Sequence, residues 1–420
     1  MQYGFIHFSS EDRNMATKIL QTLRESQAID ELGIGRVRDA YANKFFPGLS
    51  TLQRHAKYFV LLPLLYRYAS TLRYNDFRDV HPKIIELEIQ LTRQLLAGSP
   101  SEITGITGSD FVKAYGATNK EHYVKYDPTY IYASGLRTYE ILRTSSVDQA
   151  IFYKSRNRST TPEQLLTRIE GGEDDAISSD TSEFFICPKG KLDLNSPISI
   201  FLTKDEASFL KDKMLNAEAS KDSLLAYILR HDDVEIGTAR EFLPAGAISE
   251  YNFFTFQYQN LPAPYKQQVG LARAFSDFAY PLNVRYMVIY YEGHEGYEEL
   301  TENFKLSMEE SKEIYDKDLI HQVFMYPGLQ INNRALESFC LKAIDLAKEG
   351  LESGDYEKLD NLIINRELAV KGARAKLRNP KMEFIDGYSN NLGRLNYRWD
   401  IATTIVSEIR KGLEGWQPQP

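Results

Sequence analysis

The chain of 420 residues contains only two cysteines and no long apolar run. Cys187 and Cys340 stand far apart, so they provide neither a disulfide framework nor the paired spacing of a zinc site. The apolar run at residues 58–66 is shorter than the roughly 20 residues that cross a bilayer, and it contains Pro63. These features exclude a disulfide-rich secreted module and predict that the protein does not span a membrane.

The common catalytic motifs are missing as well. The chain has no GxxxxGK[ST] phosphate-binding loop, no serine nucleophile elbow and no HExxH helix. Its seven histidines are scattered, and His294 between Glu292 and Glu295 is more typical of a surface turn than of a metal site. We therefore expect a non-enzymatic protein without a metal ion or an organic cofactor.

The remaining composition is that of an ordinary globular protein. Hydrophobic residues make up 43% of the chain and charged residues 26%, and the formal net charge is −8. The amino-terminal sequence, MQYGFIHFSSED, lacks the basic region and the apolar core of a signal peptide. We therefore expect a cytoplasmic protein, and a chain of this length predicts two domains.

Helical periodicity dominates the hydrophobic pattern. Ile34, Val37, Tyr41 and Phe45 recur at the spacing of one helix face, and the following Pro-Gly pair ends that helix. A second helix is predicted to begin at Ser50, and its apolar run indicates burial on every side. The chain is therefore predicted to be mainly α-helical.

Composition also divides the chain into segments. Residues 156–183 are polar and acidic, and such a segment buries too little apolar surface to order itself. We therefore predict two helical domains, residues 1–155 and 184–420, joined by an acidic polar linker. We also predict a few short strands; residues 3–8 are a strand candidate, and two further short apolar runs lie at residues 184–187 and 198–202.

Basic residues are concentrated in two segments, which we call the basic islands. Residues 36–73 hold seven basic residues and one acidic residue, and residues 366–398 hold eight basic and three acidic residues. The islands thus carry +6 and +5, which leaves −19 for the rest of a chain whose total is −8. Such segregation is typical of proteins that meet a phosphate backbone. It also fits an acidic partner, a domain interface or a solvated face.

The islands supply the candidate site residues. Lys371, Arg374 and Arg378 fall at helical spacing, which predicts that they share one helix face. Tyr397 or Trp399 beside them is placed either to stack on a base or to pack in the core. The predicted nucleic-acid contacts are Arg36, Arg38, Arg54, Lys57, Lys371, Arg374, Arg378, Arg394 and Arg398.

Two motifs leave alternatives open. Residues 47–57 admit a helix-turn-helix interpretation, but an ordinary helix hairpin has the same signature. In the first case the side chains that face a DNA groove are Thr51, Gln53, Arg54 and Lys57. Glu310-Ser311-Lys312 matches the end of a metal-dependent nuclease motif. It lies in a helix-like segment, whereas that motif requires a strand.

Three segments carry a resemblance to a known family. They are ELGIGRVRDAYANKFFPGLSTLQ from residue 31, DPTYIYASGLRTYEIL from residue 127, and KGARAKLRN from residue 371 with LNYRWDIA from residue 395. The chain resembles an uncharacterised bacterial family, registered as domain of unknown function number 6361. The resemblance implies no activity and no site residues. Members of the family resemble components of phage-defence islands, which implies a role beside other proteins.

Together these features predict a non-enzymatic subunit of a bacterial multi-protein assembly, in antiphage defence. We expect it to contact DNA or RNA, or a partner protein, through the two basic islands, and to make no membrane contact. One alternative is a protein-interaction scaffold that binds no nucleic acid. The other is a divergent metal-dependent nuclease that uses scattered carboxylates. Salt-dependent DNA binding and magnesium-dependent cleavage distinguish the three.

Overall fold

The computed structural model describes residues 30–115, 123–156, 184–232, 261–329 and 331–415. Within these ranges the chain forms α-helices joined by turns and short 3₁₀ segments, and no strand is assigned. The mainly helical fold is thus confirmed. The few short strands that we predicted are not found in these ranges, because the apolar runs at residues 184–187 and 198–202 form no ladder with another described segment. Phe185 makes an isolated bridge with Leu142. The strand predicted at residues 3–8 lies outside the described residues.

The helices of the described ranges are numbered here in chain order. In the first half they are α1 (Gly35–Phe45), α2 (Tyr58–Ala69), α3 (Val80–Ala97), α4 (Ser109–Tyr115), α5 (Pro128–Thr138), α6 (Val147–Arg156), α7 (Lys204–Asn216) and α8 (Leu224–Arg230). In the second half they are α9 (Ala263–Tyr290), α10 (Tyr297–Ser311), α11 (Lys317–Phe324), α12 (Arg334–Ser353), α13 (Glu357–Lys371) and α14 (Trp399–Leu413).

The contacts of the chain group into two compact units. Among the described residues, the first unit comprises 30–44, 261–329 and 331–397, and the second comprises 45–115, 123–156, 184–232 and 398–415. Each unit combines segments that are distant in sequence. The boundaries differ from the domains predicted at residues 1–155 and 184–420, because packing between helices groups the segments and composition does not reveal it. The linker predicted at 156–183 lies, except for Arg156, outside the described residues and stays a prediction.

The first unit is built around α9, a helix of 28 residues. It packs against α10, α11 and α13, while α12 packs against α11 and α13. From the sequence, the apolar run at residues 284–291 is ambiguous between a strand and a helix. In the structure it forms the last turns of α9, and its final residue, Tyr291, is the C-cap of that helix. Most of its side chains are buried. The run is therefore apolar because this part of the helix is buried on most sides, and it does not reflect a strand.

The second unit has α2 at its core. Ten of the 12 residues of α2 are buried, and the helix contacts α3, α5, α6 and α7. This confirms the prediction of a helix that is apolar nearly all round. The carboxyl-terminal helix α14 packs against α7, and α7 begins with a capping box of Thr203 and Glu206.

The turn before α2 differs from its sequence-based prediction. The side chain of Gln53 accepts a hydrogen bond from the backbone N–H of Ser50, as a capping box requires. Its amide group, however, donates to the carbonyl groups of Gly48 and Ile131, so Gln53 closes a buried turn. The helix therefore begins at Tyr58 instead of Ser50. The preceding helix ends as predicted, with Gly48 in the left-handed region at φ +83°.

None of the helices that the structure describes combines the length and the apolar composition required to cross a bilayer.

Candidate nucleic-acid interface

The nine predicted contact residues are divided between the two units. Arg54, Lys57 and Arg398 belong to the second unit, and the remaining six belong to the first. Neither basic island is therefore a single surface of one unit, although each is continuous in sequence.

In the second unit, the predicted residues are engaged in the fold. Lys57 is only 4% exposed, and its ammonium group donates to the Glu206 carboxylate at 2.6 Å and to the Phe201 carbonyl at 3.1 Å. The guanidinium of Arg398 donates to the carbonyl of Leu49 at 2.8 Å. Arg54 is half-buried, and its backbone N–H donates to the hydroxyl of a buried tyrosine. These placements favour a structural role for Lys57 and Arg398.

The same region excludes the helix-turn-helix interpretation. A recognition helix needs one face free to enter a DNA groove. The helix after the turn is α2, which is buried nearly all round, and Gln53 before it is fully buried. The two helices and their Pro-Gly turn therefore have a packing function.

In the first unit, two of the predicted arginines are paired with acids. Arg394 forms ion pairs with Asp277 and, at 3.4 Å, with Glu310, and its guanidinium lies 5.0 Å from the ring centre of Tyr280. Arg38 pairs with its neighbour Asp39 at 3.1 Å. Both charges are thus offset within the chain.

The expected helix face of Lys371, Arg374 and Arg378 is not formed. Helix α13 ends at Lys371, because Gly372 adopts φ +56° and ψ −126°, which a helix does not tolerate. Arg374 then lies in a 3₁₀ turn, and Arg378 has φ +51°. The sequence spacing is helical, but the backbone is a loop, so this prediction is wrong.

This loop carries the densest positive charge of the first unit. We call residues 371–382, KGARAKLRNPKM, the basic loop; five of its 12 residues are basic and none is acidic. Its basic residues are Lys371, Arg374, Lys376, Arg378 and Lys381.

A buried carboxylate fixes the backbone of the basic loop. Glu367 on α13 has no exposed surface, and its oxygens accept hydrogen bonds from the backbone N–H groups of Lys376 (2.8 Å) and Leu377 (2.9 Å). The hydroxyl of Tyr286 on α9 donates a third bond at 2.7 Å. A buried carboxylate is tolerated when donors surround it in this way. The loop is therefore held by hydrogen bonds at its centre.

A second acid binds two of the five charges. Glu31, just before α1, is 5% exposed and accepts hydrogen bonds from Lys376 and from the hydroxyl of Tyr388, while Lys371 lies 2.9 Å away. Burial acts to raise the pKa of Glu31, but these hydrogen bonds outweigh it, so the pKa lies below its ordinary value of 4.5. Lys371 and Lys376 thus hold the loop in place.

The other three charges of the loop face solvent. Arg374, Arg378 and Lys381 are exposed, and no ion pair or side-chain hydrogen bond is recorded for them within the described part of the chain. Arg36 at the start of α1 is exposed in the same way. Of the nine predicted residues, three are therefore exposed to solvent, as a phosphate contact requires: Arg36, Arg374 and Arg378.

Sequence reasoning missed the two glutamates that hold the loop. Single acids give no signal for such a role, because their donors come from positions up to 357 residues away. It also left Lys381 out of the predicted set. The acid-free run of 12 residues was the available signal for that side chain.

Comparison with known proteins agrees with the resemblance carried by the sequence. The model of a family of unknown function (DUF6361) matches residues 1–235, more than half of the chain. The chain belongs to this family. Membership of DUF6361 assigns no activity, and the basic loop lies outside the matched residues. No curated protein and no solved structure matches the chain.

The described residues also offer no grouped metal ligands. No three histidine, cysteine, aspartate or glutamate side chains within them are placed to hold a metal ion. Glu310 and Lys312 of the nuclease-like motif lie at the end of α10 and pair with Arg394 and Glu309 respectively. The motif is thus helical in this DUF6361 protein.

Proposed function

We propose that this DUF6361 protein is a non-enzymatic subunit of a bacterial multi-protein assembly, and that it contacts nucleic acid through the basic loop. The observation that carries the proposal is that the five basic side chains of the loop fall into two groups, one paired with an acid and one exposed to solvent. Two are bound by Glu31, and three face solvent without an acid among the described residues to neutralise them. A role in antiphage defence is supported by the resemblance of the family to components of phage-defence islands.

The anchoring of the loop supports this proposal. Ordering a chain segment during binding costs conformational entropy, and a segment that is already fixed avoids that cost. Glu367 and Glu31 fix the loop from two sides, through backbone and side-chain bonds. Arg378 is held at φ +51°, a backbone conformation that costs roughly 1–2 kcal/mol for a residue with a Cβ atom. A strained cationic residue on a fixed loop is a recurrent feature of binding sites.

Exposed apolar side chains support the second part of the proposal, that the protein is a subunit. Leu368 and Val370 on α13 are 57% and 37% exposed, and Ile385 just after the basic loop is 52% exposed. These residues lie close in sequence to the loop. Exposed apolar residues beside a charged segment are typical of a surface that contacts another protein.

Salt-dependent binding tests the nucleic-acid contact. We expect the purified protein to bind a fluorescent oligonucleotide with an affinity that falls steeply between 50 and 200 mM salt, because bound phosphates release counterions. Replacing Arg374, Arg378 and Lys381 together by glutamine removes up to three phosphate contacts. The slope of log affinity against log salt is then expected to decrease by about two to three.

A matched variant controls for net charge. Lys305, Lys342 and Lys348 are exposed lysines of the same unit, on α10 and α12. Their triple replacement by glutamine removes the same charge and is expected to change the salt slope by less than one. Equal effects of the two triple variants, or binding that does not respond to salt, would contradict the proposed contact and favour the scaffold alternative.

A further inference from the structure

A groove beside the basic loop is lined by both aromatic rings and cations. It is an open depression of about 330 Å³ lined by residues near the end of α9 and by residues 376–384. Its lining includes the aromatic rings of Tyr290, His294 and Phe384 and the cations Lys376 and Arg378, and no lining residue is acidic. This volume lies at the small end of the range for ligand sites, which fits a single nucleotide unit.

Three of the lining rings are stacked. His294 lies parallel to Phe384, with 3.7 Å between ring centres and 4° between planes, and Tyr290 lies 5.3 Å from Phe384 at 25°. The hydroxyl of Tyr290 accepts a hydrogen bond from the backbone N–H of Ile385 at 2.8 Å, which fixes this ring. His294 is exposed, so one end of the stack meets solvent. A flat ring that arrives from solvent is able to extend such a stack.

The residues that line the groove include two cations, Lys376 and Arg378, and no acid. Arg378 lines the groove and is exposed, and Lys381 lies on the same loop. Glu292, Glu295 and Glu383 are near in sequence but do not line the groove. A planar ring linked to a negative group therefore fits the site better than a neutral aromatic ligand, because the lining offers both aromatic rings and cations.

We propose that this groove binds an unpaired nucleobase together with its neighbouring phosphate, so that the nucleic acid bound by the protein is single-stranded. The inference rests on the function proposed above, because it assigns a substrate class to the same loop. In a duplex, each base is covered by its neighbours, and its ring is not free to stack on a protein. In a single strand the base faces are accessible, and aromatic platforms beside cations are the usual means of binding them.

Three probes of equal length test the inference directly on the unmodified protein. They are a single strand of 12 nucleotides with 2-aminopurine at its centre, the same strand with abasic sites throughout, and a blunt duplex of 12 base pairs. We expect the single strand to bind at least tenfold more tightly than the abasic strand, because stacking contributes about that factor or more per base. Binding is also expected to change the 2-aminopurine fluorescence.

Variants separate stacking from charge. Phe384→Leu combined with His294→Ala removes the stack, and it is expected to weaken the single strand about tenfold while leaving the abasic strand unchanged. Arg378→Gln is expected to weaken both strands alike. Tyr130→Leu, which removes an exposed aromatic ring of the second unit, is the matched control and is expected to change neither.

The outcomes distinguish this inference from the proposed function. Equal, salt-dependent binding of the single strand and the abasic strand would overturn base stacking and leave the nucleic-acid contact standing. Duplex binding as tight as single-strand binding would have the same meaning. Absence of binding to all three probes would overturn both. Because the three probes are compared on the wild-type protein, the test holds even if the double variant does not fold.

Discussion

Glu88 on α3 provides a prediction about stability that does not depend on function. Its side chain has no exposed surface. One oxygen accepts hydrogen bonds from the backbone N–H and the hydroxyl of Thr129, at 2.8 and 2.6 Å. The other oxygen is buried and has no hydrogen-bond partner within the described part of the chain. Burial, with the nearby charge of Asp127 as the next cause, raises the pKa of Glu88 from 4.5 to about 8.

The direction of the pH effect follows from these two values. The unfolded chain ionises Glu88 near pH 4.5, whereas the folded chain keeps the proton up to about pH 8. Between these values unfolding releases a proton, so rising pH favours the unfolded state. Each pH unit lowers the free energy of unfolding by about 1.4 kcal/mol, and the whole range from pH 4.5 to about pH 8 lowers it by roughly 5 kcal/mol. That is a large part of the 5–15 kcal/mol by which typical proteins are stable.

The variant Glu88→Gln isolates this contribution. Glutamine keeps the acceptor for Thr129 and does not titrate, so its own cost is the same at every pH. We expect the free energy of unfolding of the variant to rise relative to wild type by about 1.4 kcal/mol per pH unit, or about 3 kcal/mol from pH 5.5 to 7.5. Urea unfolding followed by tryptophan fluorescence measures it, since Trp399 lies in the same unit as Glu88.

A neighbouring residue supplies the control. Glu86 is two positions away on α3, is only half-buried, and pairs with Lys83 at 2.7 Å. Its replacement by glutamine is expected to leave the pH dependence close to that of wild type. Parallel curves for wild type and Glu88→Gln over this pH range would refute the reasoning, because they would mean that Glu88 is ionised inside the fold.

Three further predictions concern other parts of the chain. Glu367→Gln places an amide N–H opposite a backbone N–H of the basic loop, so one hydrogen bond is lost. We therefore expect the free energy of unfolding to fall by about 2 kcal/mol. An unchanged urea midpoint would contradict the anchoring of the loop by Glu367. Burial raises the pKa of the Cys340 thiol to about 12. We therefore expect a thiol reagent at pH 8 to leave Cys340 unmodified until urea unfolds the protein. Rapid modification of both cysteines without urea would contradict this expectation. Gly48→Ala places a Cβ 2.8 Å from the ring of Tyr139 at φ +83°, and we expect about 2 kcal/mol of destabilisation by thermal unfolding. Gly415→Ala, also at positive φ but with no described atom within 4 Å of the added Cβ, is expected to cost less than half as much.

The sequence was a reliable guide where local pattern and burial coincide. The face of Ile34, Val37, Tyr41 and Phe45 is buried as predicted, at 3% exposure or less. The apolar helix α2 and the capping box of α7 also follow from residues within one or two turns of each other. Such features depend on interactions between near neighbours, which the order of residues contains directly.

The prediction of the candidate site was only partly sound. The sequence identified the basic segment near residue 371 and three side chains that do face solvent. It assigned that segment to a helix, because spacing alone does not reveal that Gly372 takes a positive φ and ends α13. It also counted Lys57 and Arg394 as available, since the acids that bind them, Glu206 and Asp277, are more than 100 residues distant.

By itself, the sequence determined that the protein is mainly helical, that it has no long apolar run, and where its positive charge is concentrated. Only the tertiary structure decided which charges are neutralised and which aromatic rings meet. Both kinds of contact join residues that are far apart in the chain. Phe384 stacks on Tyr290 and His294, and Glu31 forms an ion pair with Lys376 of the basic loop. The physical reason is that an ion pair or a ring contact acts over a few ångströms in space, whatever number of residues separates its partners.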